Sequence, residues 1–190
     1  MKRILLFSIL FFCLPVAAET PWYDLTKTEI QKMGERIYHT RGANTCLMCH
    51  GAQGKGGSIA EAARLDEPRT WKTFQALGGK EELQKNPQKF LQQMQTVDEA
   101  IIQYGSIRWN QERKDFHPNI QLDISLDPLM YGIQQAPTLK EINTIRREIK
   151  TNKDLRLSKQ EMQQLAAHAV FEYIKTFDKG GKKGGVFGKN

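Results

Sequence analysis

Two cysteines and a histidine stand within five residues of this 190-residue chain, in the segment Cys46-Leu47-Met48-Cys49-His50. Residues three apart on an α-helix lie on one face, so a helical turn here would place both thiols beside the same ligand. The imidazole of His50 follows at once along the chain. No other segment constrains the fold and chemistry of this chain as strongly.

The spacing Cys-x-x-Cys-His is the attachment motif for covalently bound haem. We expect Cys46 and Cys49 to form thioether bonds to the two vinyl groups of one haem c. His50 is then the expected proximal ligand of the haem iron. With Gly51 directly after the histidine, the segment resembles the c-type cytochromes.

Other kinds of site could use the same cysteines. A thioredoxin-like redox pair is disfavoured, because no βαβ pattern surrounds Cys46. A structural zinc site needs four ligands, which the other histidines of the chain could complete on number alone. A disulfide between Cys46 and Cys49 would leave His50 without a role.

Residues 1–18 predict a cleaved secretory signal. A short basic start precedes an apolar run from Ile4 to Leu14, and small residues follow at the expected cleavage site. The run is shorter than the ~20 residues that span a bilayer. Cleavage would leave Glu19 as the first residue and remove Cys13. We expect a soluble periplasmic protein without a membrane span. The haem motif agrees with export, because in the resembled family bacterial haem attachment occurs outside the cytoplasmic membrane.

The chain is basic, with a formal net charge of +7 at pH 7. Without the signal the charge falls to about +5, and two haem propionates would lower it to about +3. Such an excess favours electrostatic steering to an acidic partner, although it is also an ordinary solubility charge. We expect redox proteins, acidic ones among them, as partners and expect no nucleic acid. The sequence does not indicate an oligomeric state.

Two strong helices are predicted near the ends of the chain. Capping boxes, each a Thr or Ser followed three residues later by Glu, begin at Thr26 and Ser158. Apolar residues then recur at helical spacing over about 27 to 40 and from the Ser158 cap to Phe177. No segment shows a convincing strand pattern, so the predicted fold class is all-α.

The two terminal helices resemble those of class I c-type cytochromes, in which a glycine lets the N-terminal helix closely approach a C-terminal helix that carries aromatic residues. Gly34 and Tyr38 have the spacing of that family's pattern. A residue without Cβ allows two helix backbones to come close together. The resemblance implies that Tyr173 or Phe171 faces Gly34.

The resemblance also implies the domain organisation. Cytochrome c-like helices would surround one covalently attached haem in a domain over 19–178, enlarged by an insert at about 58–156. A flexible tail rich in Gly and Lys is expected over 179–190. Shorter helical patterns in the insert cover about 69–77, 87–104 and 138–150.

The second axial ligand decides what the haem does. In the resembled family it is usually a methionine on a loop before the C-terminal helix. Met130 is the only methionine between Gly105 and the Ser158 cap, which makes it the expected distal ligand. His117 and Met94 are the alternatives, although Met94 is on a predicted helix where core packing is its expected role.

These residues predict a monohaem electron-transfer protein, either a free carrier or a subunit of an oxidoreductase. The chain is more readily interpreted as such a protein than as an enzyme, because no catalytic constellation accompanies the motif. The alternative is a haem enzyme or a gas or redox sensor with an open or weakly ligated distal site. Pro68, the nearest proline after the motif, is a candidate acceptor for the free N–H of the proximal histidine.

Overall fold

The computed structural model describes residues 25–40, 45–60, 62–116, 120, 130, 132–133, 140, 143–144, 147, 157–178 and 185–187. Six α-helices have both bounds within these residues: α1 Lys27–Tyr38, α2 Cys46–His50, α3 Lys72–Ala76, α4 Gly79–Lys85, α5 Pro87–Phe116 and α6 Lys159–Lys175. A 3-10 turn, Pro68–Thr70, precedes α3. No described residue lies in a β-strand, so the all-α prediction is confirmed for this part of the chain. The predicted signal over 1–18 lies outside it.

Both predicted capping boxes are formed. The Thr26 hydroxyl accepts from the Glu29 amide at 3.3 Å, and the Glu29 carboxylate accepts from the Thr26 amide at 2.7 Å. Ser158 and Glu161 make the same pair of bonds at 3.2 and 2.6 Å. These bonds satisfy amides that the first helical turn leaves without a partner, which explains why α1 and α6 begin where they do.

Helices α1 and α6 cross in close contact at Gly34. A Cβ built on Gly34 would lie 1.9 Å from the Ala169 carbonyl oxygen and 2.9 Å from Cβ of Tyr173. The crossing therefore requires glycine, as the sequence predicts. Of the two aromatic candidates, Tyr173 faces Gly34, whereas Phe171 is buried in the main core.

The middle of the chain is more helical than its sequence pattern indicates. Helix α5 begins at the predicted position but continues beyond 104, because Gly105 (φ 76°, ψ 172°) interrupts the helix without ending it. Helix α4 is not predicted by the pattern, since Gly78 and Gly79 have the composition of a turn. In the predicted helix over 138–150, the described residues are all helical: Lys140, Asn143, Thr144 and Arg147.

The main core includes a contribution from the end of the chain. The Asp178 carboxylate accepts from the amides of Val186 at 2.6 Å and Phe187 at 3.1 Å. The Phe187 ring lies 5.9 Å from that of Trp71. Two residues of the tail predicted over 179–190, Val186 and Phe187, therefore lie against the core.

None of the helices in the described part of the chain is both long and apolar enough to cross a membrane. The longest, α5, has 30 residues with polar side chains distributed along its length.

Candidate functional site

The cysteine–histidine segment forms the short helix α2. Thr45 precedes it, and the Thr45 hydroxyl accepts from the Met48 amide at 3.4 Å. Cys46 and Cys49 are both free thiols, separated by less than one helical turn. Cys46 packs against the main core, whereas Met48 is 37% exposed. One side of α2 therefore faces the interior and the other faces solvent.

The glycine-rich loop after α2 folds back over the end of that helix. The amide of Gly56 donates to the His50 carbonyl at 3.0 Å, and that of Ser58 donates to the Met48 carbonyl at 2.8 Å. A Cβ on Gly57 would lie 2.3 Å from the same Met48 oxygen. The loop thus satisfies carbonyls that a helix of this length leaves open, and its glycines permit the close approach.

The imidazole of His50 is held by a backbone carbonyl. Its Nδ1 lies 2.8 Å from the Ala63 carbonyl oxygen, which can only accept, so Nδ1 is the donor. Burial lowers the pKa of His50 more than this hydrogen bond raises it. The neutral imidazole therefore carries its proton on Nδ1 and a lone pair on Nε2. The sequence suggested Pro68 as the acceptor for the free N–H of this histidine, which is wrong: the acceptor is the Ala63 carbonyl. Pro68 lies buried in the 3-10 turn.

The two residues that follow Ala63 are themselves fixed by hydrogen bonds. The Leu65 amide donates to the Gly54 carbonyl at 2.7 Å, which ties this segment to the glycine-rich loop. The indole N–H of Trp71 donates to the Arg64 carbonyl at 2.9 Å. The acceptor for His50 is therefore positioned by its neighbours in sequence, which stabilises one orientation of the ring.

Tyr38 connects the helix crossing to the site. The Tyr38 ring is fully buried, with edge-on contacts to Tyr173 and Phe177 on or next to α6. Its hydroxyl donates to the Gly51 carbonyl at 2.6 Å, directly after His50. Burial raises the pKa of Tyr38, so the hydroxyl remains a donor at neutral pH. The packing of α1 on α6 thereby positions the residue that follows the motif.

The environment of Cys46 does not suit thiol–disulfide exchange. Burial raises the pKa of the Cys46 thiol to about 11. Catalytic cysteines have lowered pKa values, because the thiolate is the nucleophile. Within the described ranges, no three His, Cys, Asp or Glu side chains form a group that could hold a metal ion. The raised pKa of Cys46 argues against the redox-pair alternative.

Met130 lies partly buried at the boundary of two apolar clusters. One is the main core, against which Cys46 also packs, and the other surrounds Trp109. The Met130 amide donates to the Ser106 hydroxyl at 2.8 Å. Met94 is fully buried in the main core, which is the packing role expected for it. His117 lies outside the described residues.

Two positions at the site have little or no sequence signal. Ala63 acts through its carbonyl oxygen, which every residue possesses, so no pattern could identify it. Ser106 is a single small polar residue after Gly105, and only its contact with Met130, 24 residues away, gives it a role.

Comparison with protein-family models, with curated proteins and with solved structures gives no match to this chain. The described geometry consists of a Cys-x-x-Cys pair on a short helix, a histidine directly after it and an all-α surround.

Proposed function

We propose that this chain is a monohaem c-type electron-transfer protein of the class I type. Cys46 and Cys49 would hold haem c covalently, with His50 as the proximal ligand and Met130 as the distal ligand of the iron. The observation that carries the proposal is the state of His50: its Nδ1–H is bound by Ala63, which leaves an Nε2 lone pair on the residue that directly follows a pair of free thiols in the chain.

The residues of the site suit such a cofactor. Two thiols on one helical face can each add across one vinyl group of a porphyrin, with the S–H proton passing to the vinyl carbon. The hydrogen bond from His50 to Ala63 orients the ring and increases the basicity of Nε2 as a ligand. When bound, the haem would supply one-electron chemistry, with its iron alternating between the ferric and ferrous states.

The attachment of Met130 favours electron transfer over an open distal site. Its backbone is hydrogen-bonded to Ser106 on α5, and its side chain packs against the same core as Cys46. A methionine held in this way is a suitable sixth ligand, and methionine ligation raises the reduction potential. The haem enzyme or sensor remains the second candidate function, which the experiment below separates.

The proposed location is the periplasm, and the proposed partners are redox proteins. The signal pattern over 1–18 supports export, and the basic charge supports docking to an acidic donor or acceptor. The protein would act as a free carrier or as the electron-transfer subunit of an oxidoreductase.

The first experiment is to produce the full chain in a host that exports it and attaches haem c, and to extract the protein with acidified acetone. We expect haem to stay on the protein and to be lost when Cys46 and Cys49 are both replaced by Ser. A protein that carries no haem, or that releases it on extraction, would contradict the proposal.

The distal ligand is tested by replacing Met130 or Met94 with Leu, which conserves side-chain volume. Met130→Leu should lose the far-red absorption band of methionine–iron ligation and have a lower reduction potential than wild type. Met94→Leu should keep the far-red band and the wild-type reduction potential. Unchanged spectra in both variants would favour His117 or another ligand. High-spin ferrous wild-type protein that binds carbon monoxide readily would favour the enzyme or sensor.

A further inference from the structure

Helix α5 is interrupted at Gly105, and another segment of the chain enters the interruption. In a continuous α-helix the Ser106 amide would donate to the Ile102 carbonyl. Here the Ser106 amide donates to the Met130 carbonyl at 2.8 Å, and the Ile102 carbonyl accepts from the Ile133 amide at 3.0 Å. The interruption therefore gives the segment around Met130 two backbone partners on α5.

The Ser106 side chain adds two hydrogen bonds to the same residue. Its hydroxyl oxygen accepts from the Met130 amide at 2.8 Å and donates its proton to the Met130 carbonyl at 3.3 Å. One hydroxyl can do both, because it has one donor and two lone pairs. Ser106 is only 1% exposed, so water competes little for these bonds. Both backbone polar groups of Met130 are thus bound by one residue.

Two glycines make this arrangement sterically feasible. At Gly105, φ 76° with ψ 172° is a conformation that residues with a side chain rarely adopt. A Cβ on Gly132 would lie 2.6 Å from the Gln103 carbonyl oxygen and 2.7 Å from the Gly105 amide nitrogen. The segment can approach the backbone of α5 only because these residues lack side chains.

We propose that Ser106 is a positioning residue for Met130, holding its backbone so that its thioether stays on the haem iron. The inference rests on the proposed function, in which Met130 is the distal ligand. Ser106 belongs to α5, which packs on α6, whereas Met130 lies 24 residues further along the chain. The three hydrogen bonds therefore fix a distant segment to the helical core that also contacts Cys46.

The test compares Ser106→Ala with Thr96→Val in the haem-loaded full chain. Thr96 is a matched control, because its hydroxyl donates to a carbonyl of α5 itself, that of Gln92, at 2.8 Å. Imidazole is titrated into the ferric protein, and the loss of the far-red band reports displacement of the methionine. We expect Ser106→Ala to bind imidazole about tenfold more tightly than wild type, and Thr96→Val to match wild type.

Gly132→Ala is a second variant. It disturbs the close approach of the Met130 segment to α5 and leaves the Ser106 hydroxyl in place. It should shift imidazole binding in the same direction and at least as far, with the far-red band weakened before any imidazole is added. Far-UV circular dichroism checks that the variants retain the helical content of wild type. An imidazole affinity within twofold of wild type in Ser106→Ala would overturn the inference, whatever Gly132→Ala shows.

The outcomes also separate this inference from the proposed function. If Met130→Leu abolishes the far-red band and Ser106→Ala leaves imidazole binding unchanged, methionine ligation stands and only the role of Ser106 is wrong. If Met130→Leu leaves the wild-type spectrum intact, the ligand assignment is wrong and the role of Ser106 falls with it. A chain without covalent haem overturns both.

Discussion

The crossing of α1 and α6 leaves no room for a side chain at Gly34. A Cβ there would lie 1.9 Å from the Ala169 carbonyl oxygen, 2.5 Å from its carbon and 2.9 Å from the Tyr173 Cβ. A non-bonded contact of this kind normally needs about 3.5 Å. Gly34→Ala would therefore force the two helices apart by roughly 1.5 Å. Two of the three clashing atoms belong to the backbone, so no side-chain rotation can relieve the overlap.

The size of the effect follows from two opposing contributions. Overpacking costs about 1 to 3 kcal/mol, and a clash with backbone atoms belongs at the upper end of that range. Alanine is favoured over glycine in a helix by about 1 kcal/mol. The free energy of unfolding should fall by about 2 kcal/mol, which is about a 30-fold change in the folding equilibrium constant.

The measurement is a urea titration of the full chain, followed by far-UV circular dichroism, with Glu35→Ala as the control. Glu35 is exposed on the same helix, next to Gly34, so its replacement changes helix propensity and leaves the space at Gly34 unchanged. Glu35→Ala should lie within about 0.5 kcal/mol of wild type. If Gly34→Ala were as stable as this control, the close approach of α1 to α6 would not exist as described.

Three further predictions use the same assay. Burial raises the pKa of Asp98 to about 8. Between pH 4 and 8 unfolding therefore releases a proton, so the free energy of unfolding falls with rising pH, by at most about 1.4 kcal/mol per pH unit. Asp98→Asn should lack this decline, and pH profiles of stability that run parallel in the variant and the wild type would argue against the prediction. Ser158→Ala, which removes the α6 cap, should cost about 1 kcal/mol, whereas Lys159→Ala should cost less than half as much. Phe187→Ala should cost about 2 kcal/mol through its contact with Trp71, and a cost near zero would mean that the C-terminal segment does not pack there.

Local sequence signals predicted the parts of the structure that depend on neighbours in the chain. A capping box needs two residues three apart, so the starts of α1 and α6 were readable from Thr26 and Ser158. The continuation of α5 through Gly105 was not, because a glycine in a helical pattern is an equally good signal for an end.

The sequence by itself determined the all-α class, the capped terminal helices and the adjacency of two thiols and an imidazole. Only the tertiary structure decided that Ala63 accepts from His50 and that Ser106 holds Met130. It also decided that Asp98 is buried with an elevated pKa. The two hydrogen bonds join groups that are 13 and 24 residues apart in the chain. A backbone carbonyl, a serine hydroxyl or an aspartate carboxylate gives the same local sequence signal whatever groups the fold places next to it.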